Sequence, residues 1–189
     1  MGRVIVQQWI SVDGFVAGPG GEADVFAAVE DFSASEAHNL ALLDSVGEIL
    51  LGRRTYEAFV AFWPTVHDEP MAGPVNTIPK TVCSTTLTRA PWGEHAPAAI
   101  VPDAVAHVRS RRDSQKGDTI VWGSVRLMRS LLEAGEVDLL ELFVAPVALG
   151  AGTPLLGHDD HPVTLRVAET ESWPGDVIRT RYAVRAGRG

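Results

Sequence analysis

Cysteine is almost missing from this chain of 189 residues: Cys83 stands alone, which excludes an intramolecular disulfide framework and suits a reducing compartment. It reads as a small core hydrophobe. Positive charge is also in short supply, with 16 Lys and Arg against 24 Asp and Glu, a formal net charge of -8 and a pI near 5.2. That balance argues against non-specific nucleic-acid binding, and no basic run offers a polybasic membrane anchor, so any anion site must be local. No apolar stretch reaches transmembrane length. The opening residues lack the basic region and apolar core of a signal peptide, and Val6 stands where a myristoylation signal needs Ser or Thr. A cytoplasmic protein with neither nucleic acid nor membrane as partner is expected. Also missing are a GxGxxG fingerprint, a GxSxG nucleophile turn, internal repeats, low-complexity tracts and linkers.

What the chain does have is 46% hydrophobic residues and a mean hydropathy of +0.07, enough for one substantial core, so a single domain over residues 1–189 is expected. Val4 to Ile10 reads as a strand, followed by the Asp-Gly turn signal of SVDG. After the glycine-rich AGPGGEAD, Leu40, Leu43 and Val46 recur at helical spacing in SASEAHNLALLDSVG, with Ser33 or Ser35 as candidate cap. EILLG is then a strand, and Tyr56, Phe59, Val60 and Trp63 mark an apolar helix face that Pro64 ends. A long loop runs from Pro64 to Pro79. KTVCST is a strand, DAVAHVRSRR a helix with Val105 and Val108 inward, DTIVWG a buried strand, SVRLMRSLLEAG a helix ending at Gly135, and DLLELFVAPV another strand. VTLRVAETESW and DVIRTRYAVR alternate and are joined by PGD, an antiparallel hairpin closing a mostly parallel sheet. The class is α/β with helices on both faces.

Three strand ends carry the chemistry. In ILLGRRTYEAF, Gly52 separates a strand from a helix, so backbone N–H groups and the guanidiniums of Arg53 and Arg54 meet at the strand's C-terminal end, either as a phosphate site or as a glycine turn with solvated arginines. CSTTLTR places Ser84, Thr85, Thr86 and Arg89 after the next strand. IVWGSVRLMRSLL places Gly123 and Ser124 at a helix N-terminus, where a pyrophosphate could accept N–H bonds. HDDH at 158–161 lacks the helical or strand context that would converge metal ligands, and His38, His67, His95 and His107 form no visible cluster, so no metal is expected.

The succession SVDGFVAG, LLGRRTYE, KTVCST, IVWGSVRLMRSLLEAGEVDLLELFVAPVALGAGTPLL resembles the family that unites dihydrofolate reductase with the pyrimidine-reductase domain of bifunctional riboflavin-biosynthesis enzymes. It is most similar to the stand-alone proteins like that C-terminal reductase domain (RibD C-terminal-like), and the likeness covers nearly the whole chain. It implies a dihydrofolate reductase-like three-layer fold, NADPH as cofactor and hydride transfer to a small heterocycle, pterin- or ribosylaminopyrimidine-like. Carried over, Arg53 reads the adenosine 2′-phosphate with Ser84 and Thr85, while Gly52, Arg54 and Thr55 face the pyrophosphate. Gly123, Ser124, Val125 and Arg126 form the turn beneath pyrophosphate and nicotinamide, and the Gly123–Ser124 peptide, by analogy with the family's Gly-Gly pair, is expected to be cis.

Two carboxylates compete for the proton-donor role that the resemblance implies. Counting back from Gly52 puts Glu36 at the family's pterin-binding carboxylate, while on its own it reads as a first-turn acid favoured by the helix dipole. Asp13 matches the S-L-D-G of the riboflavin-type reductases, and on its own it reads as a turn residue. Trp9 and Phe15 are candidate pocket walls, with core packing as the plain reading. Two departures stand out: Gln7 and Trp9 replace the lysine and small residue of the riboflavin-type pattern, and Met128 stands where dihydrofolate reductases place a tyrosine. Gly150 and Gly152 are expected to serve backbone geometry, and the apolar LLELFVAPVALGAG to support a homodimer. Two rival readings are an NADP(H)-binding protein of the same fold without turnover and a flavodoxin-like fold, the latter weakened by the missing Ser/Thr-rich cradle after the first strand.

Overall fold

β-branched residues and near-continuous apolar runs build the middle of the molecule, and a computed structural model describes residues 2–114, 117–157 and 162–184. HDDH at 158–161 lies outside the described residues. In chain order the elements are β1 (Val4–Ser11), β2 (Phe15–Ala17), α1 (Ala23–Phe26), α2 (Ser33–Leu43), β3 (Val46–Gly52), α3 (Arg53–Phe62), α4 (Ala72–Thr77), β4 (Lys80–Cys83), β5 (Ala99–Val101), α5 (Ala104–Ser114), β6 (Asp118–Trp122), α6 (Val125–Glu133), β7 (Leu139–Ala145), β8 (Thr153–Pro154), β9 (Leu165–Trp173) and β10 (Val177–Val184).

One eight-stranded sheet runs β5-β4-β3-β6-β1-β7-β10-β9. The first six strands are parallel, while β10 pairs antiparallel with β7 and with β9, giving the C-terminal hairpin. This order differs from the flavodoxin-like arrangement, where the second strand flanks the first and no such hairpin closes the sheet. Strands buried on both faces read as near-continuous apolar runs, which explains Ile49, Leu50 and Leu51, all fully buried. Each such side chain contributes about 1.5–3 kcal/mol of hydrophobic stabilisation.

The pleat sends alternate residues to two cores. Leu50 and Val121 join Val108, Leu127, Met128 and Leu131, so α5 and α6 cover one face. Ile49, Leu51, Ile120 and Trp122 join Leu43, Tyr56 and Val75, so α2, α3 and α4 cover the other. Residues 127, 128, 131 and 132 form the buried stripe of α6, which Gly135 ends with a φ of 70°. Met128 is fully buried in this core.

Several local features depart from the sequence reading. Neither Ser33 nor Ser35 caps α2: its N-cap is Phe32, and the Asp31 carboxylate accepts the Ser33 N–H at 2.8 Å. The segment 64–79 holds α4, whose Pro74 sits where an unpaired first-turn N–H would be. Asn76 fixes that helix by donating to the Trp63 carbonyl at 2.9 Å and accepting from the Trp92 indole at 2.7 Å. The short strands β2, β5 and β8 carry too few residues to show periodicity. The strand β7 is paired on both edges and its buried residues fill the core, so of LLELFVAPVALGAG the loop after β7 is the part left at the surface. No helix among the described residues is long and apolar enough to cross a membrane.

Candidate active site

The helices α3 and α6 leave neighbouring strands β3 and β6 toward opposite faces of the sheet, which opens a crevice at the strands' C-terminal ends. Two turns interlock there. The Ser124 hydroxyl accepts the Gly52 N–H at 2.8 Å and bonds the Thr55 hydroxyl at 2.7 Å. A Cβ on Gly52 would collide with Ser124 Oγ, and one on Gly123 would lie 2.7 Å from Thr55 Oγ1, so both positions need glycine. The Gly123–Ser124 peptide is trans, which corrects the expected cis bond: left-handed φ values of 57° and 56° at the two residues turn the chain instead. For a residue with a Cβ, Ser124's conformation costs about 1–2 kcal/mol. Its two hydroxyl bonds hold it there.

Neither α3 nor α6 has a side-chain cap, so both direct free first-turn N–H groups into the crevice. Arg53 is half-exposed; its Nε donates to Glu57 at 2.7 Å and its Nη1 to Thr86 Oγ1 at 2.8 Å, which joins the GRRT turn to the loop after β4. Within that loop Ser84 Oγ accepts the N–H groups of Thr86 and Leu87. Thr86, rather than Thr85, thus meets the guanidinium.

Beside the crevice lies a cavity of about 380 Å³, in the range of a small-molecule site. Trp9, Phe26, Phe59, Trp63 and Trp122 give it flat aromatic walls, and Arg54, Thr55, Gly123, Ser124 and Val125 connect it to the crevice. Gln7, Gln8, Asn39 and Glu22 supply polarity. Of the expected site residues, Trp9 is a wall, Phe15 pairs with Pro154 and is not part of the lining, and Arg126 is exposed outside the lining.

The two expected acids are placed elsewhere. Glu36 is exposed, one helical turn before Asn39, which faces the cavity in its stead. Asp13 is an acceptor: its carboxylate takes the Ser11 hydroxyl at 2.6 Å and the N–H groups of Leu149 and Gly150 at 3.1 and 2.7 Å. Those bonds, led by Ser11, hold it down at a pKa of about 2, which suits a latch between two loops and not a proton donor near neutrality. The carboxylate among the lining residues is Glu22.

Sequence reasoning missed Gln8, Glu22 and Asn39 as lining. The two glutamines interrupt an apolar strand, which was a readable signal; Glu22 in a glycine-rich loop and Asn39 on a weakly patterned helix gave none. Gln7 lies in a polar row across the sheet, in register with Trp122 on β6 and Glu141 on β7. The fully buried Glu141 accepts from Gln7, Arg179 and Arg181 and meets His38, and despite its burial these partners hold its pKa at about 2.

Comparison with known proteins agrees with this architecture. The curated protein YyaP of Bacillus subtilis (strain 168), itself uncharacterized, is 23% identical over 184 residues, covering 95% of this chain and 94% of its own. A protein of Shewanella sp. PV-4 assigned to riboflavin biosynthesis superposes with a TM-score of 0.80 at 22% identity, over 97% of this chain and 99% of that one. The Thermotoga maritima diaminohydroxyphosphoribosylaminopyrimidine deaminase/5-amino-6-(5-phosphoribosylamino)uracil reductase superposes with a TM-score of 0.67 at 12% identity. This chain is covered over 97% there but spans only 57% of that larger protein. The model of the RibD C-terminal domain matches residues 3–178, and the chain therefore belongs to the RibD C-terminal domain family, with its dihydrofolate reductase-like fold.

Proposed function

We propose that the protein is a cytoplasmic NADPH-dependent reductase acting on a small, flat heterocycle of the pyrimidine or pterin kind. The observation that carries this reading is the crevice: two uncapped helix N-termini, Arg53 and Arg54 converge beside an aromatic cavity, as a dinucleotide phosphate chain next to a stacked ring requires. The glycines fit the same group, because side chains at 52 and 123 would fill the space between the turns.

In this reading Arg53, Thr86 and Ser84 hold the 2′-phosphate, while the N–H groups at the starts of α3 and α6, with Arg54, hold the pyrophosphate. NADPH supplies the hydride. The aromatic walls exclude water and stack the substrate ring, which raises the strength of every polar contact inside. Glu22, at the exposed edge of the cavity, takes the proton-relay role once expected of Asp13 or Glu36. A homodimer belongs to the same proposal, with the solvent-exposed outer strand β9 as its surface; light scattering at the dimer mass is expected, and a monomer contradicts it.

Turnover separates this reading from a cofactor-binding protein without catalysis. With dihydrofolate or the deaminated ribosylaminopyrimidine as acceptor, NADPH oxidation must depend on the acceptor and match the reduced product in amount. NADPH binding without turnover of either compound would leave the binding-only reading.

A further inference from the structure

We infer that Asn39 is a specificity-determining residue whose amide is locked with its N–H groups toward the cavity, so that the site selects ligands presenting a hydrogen-bond acceptor there. The inference rests on the cavity being the substrate site proposed above.

The locking follows from which groups can only donate and which can only accept. The Trp122 indole N–H is a donor, and at 2.7 Å it fixes the Gln7 atom it meets as the carbonyl oxygen. Glu141, ionised between Arg179 and Arg181, is an acceptor, and at 2.7 Å it fixes the other end of Gln7 as the NH2 group. Gln7 cannot flip without breaking both bonds and burying a carbonyl against a carboxylate. Its second N–H then donates to Asn39 Oδ1 at 2.8 Å, which fixes Asn39 in turn. Asn39 Nδ2 has no partner among the described residues and is not sealed from solvent, while Asn39 itself lines the cavity. Its two N–H groups are what an incoming ligand meets.

The frame of this relay is the sheet itself. Trp122, Gln7, Glu141, Arg181 and Glu169 occupy one cross-strand row through β6, β1, β7, β10 and β9, so the C-terminal hairpin holds the charge that sets the polarity of the cavity. Arg179, 2% exposed, bonds Glu141 at 2.8 Å and Glu169 at 2.7 Å and leaves the buried carboxylate paired.

The test uses two shape-matched probes of opposite rim: quinazoline-2,4-dione, which offers two carbonyl acceptors, and quinazoline-2,4-diamine, which offers amino donors at the same positions. Quenching of tryptophan fluorescence reports binding, since Trp9, Trp63 and Trp122 line the site. The wild-type protein should prefer the dione at least fivefold, and Asn39→Asp, which keeps an oxygen toward Gln7 and turns a second oxygen to the cavity, should reverse the order. Asn39→Ala should weaken the dione without strengthening the diamine. A preference for the diamine in the wild type, or an unchanged ratio in both variants, overturns the inference. A parallel NADPH titration keeps the two claims apart: NADPH binding without either quinazoline overturns this inference alone, whereas loss of all three overturns the reductase reading with it.

Discussion

Arg53 is held by two contacts of unequal worth to a bound nucleotide. Its bond to Glu57 is an exposed i,i+4 pair, contributing about 0.3–0.5 kcal/mol, so a 2′-phosphate displaces it at little cost. Its bond to Thr86 instead points the guanidinium toward the loop after β4, where a phosphate can accept from both sides. Arg53→Ala should therefore weaken NADPH by about 1.5–3 kcal/mol, roughly ten- to a hundredfold, and leave NADH nearly unchanged in the same fluorescence titration. Equal losses for both nucleotides would contradict the assignment. Asp13 makes a different prediction. Its folded pKa is lowered to about 2, so the stability it contributes is present above the unfolded carboxylate range near 4 and is lost as pH falls toward 2. Asp13→Asn should unfold at a lower temperature than the wild type at pH 7, and the gap should shrink as acid protonates the wild-type carboxylate. A gap that stays constant down to pH 2 would mean that the latch between SVDG and the loop at Leu149 and Gly150 does not depend on charge.

At the scale of elements, the site is two turns locked by Ser124. Gly123→Ala puts a Cβ on a residue with a φ of 57° and within 2.7 Å of Thr55 Oγ1. A loss of about 1–3 kcal/mol in denaturant unfolding is expected from the left-handed backbone and the clash together. Cofactor affinity should fall as well, because the first N–H groups of α6 move with the turn; unchanged stability and affinity would contradict the interlocked geometry. These junctions were legible in the sequence, since a glycine between an apolar strand run and a helical stripe marks both the turn and the helix start. The trans peptide was not legible, because nothing in GSV tells whether the chain turns through ω or through two positive φ values. The failed caps at Ser33 and Ser35 have a similar cause: Asp31 lies two residues earlier and reaches the first N–H by an Asx turn.

At the scale of the whole molecule, the mostly parallel sheet with its C-terminal hairpin could be anticipated because periodicity is strong wherever a strand is buried on two faces and a helix on one, whereas the strand order could not. The cavity could not. Its aromatic walls come from β1, α1, α3, β6 and the turn after α3, and helical spacing makes Phe59 and Trp63 look like core. Asn39, three residues after Glu36 on α2, is the residue that faces the site, and the weak amphipathicity of that helix gives the sequence no signal for choosing between them. The polar row through Gln7 and Glu141 shows the converse, for a charged residue inside an apolar strand is a readable sign that the fold supplies partners from elsewhere. Here they are Arg179 and Arg181, 38 and 40 residues on, brought beside Glu141 by the pairing of β10 with β7.

The central claim, that the crevice between α3 and α6 is an NADPH site, is met most directly by titrating the purified protein with NADPH and NADH while following tryptophan quenching and energy transfer to the nicotinamide. The geometry predicts saturable quenching by NADPH with an affinity at least tenfold above that for NADH, since Trp122 and Trp9 line the adjoining cavity and Arg53 reads the extra phosphate. Binding of neither nucleotide, or equal binding of both, would contradict it.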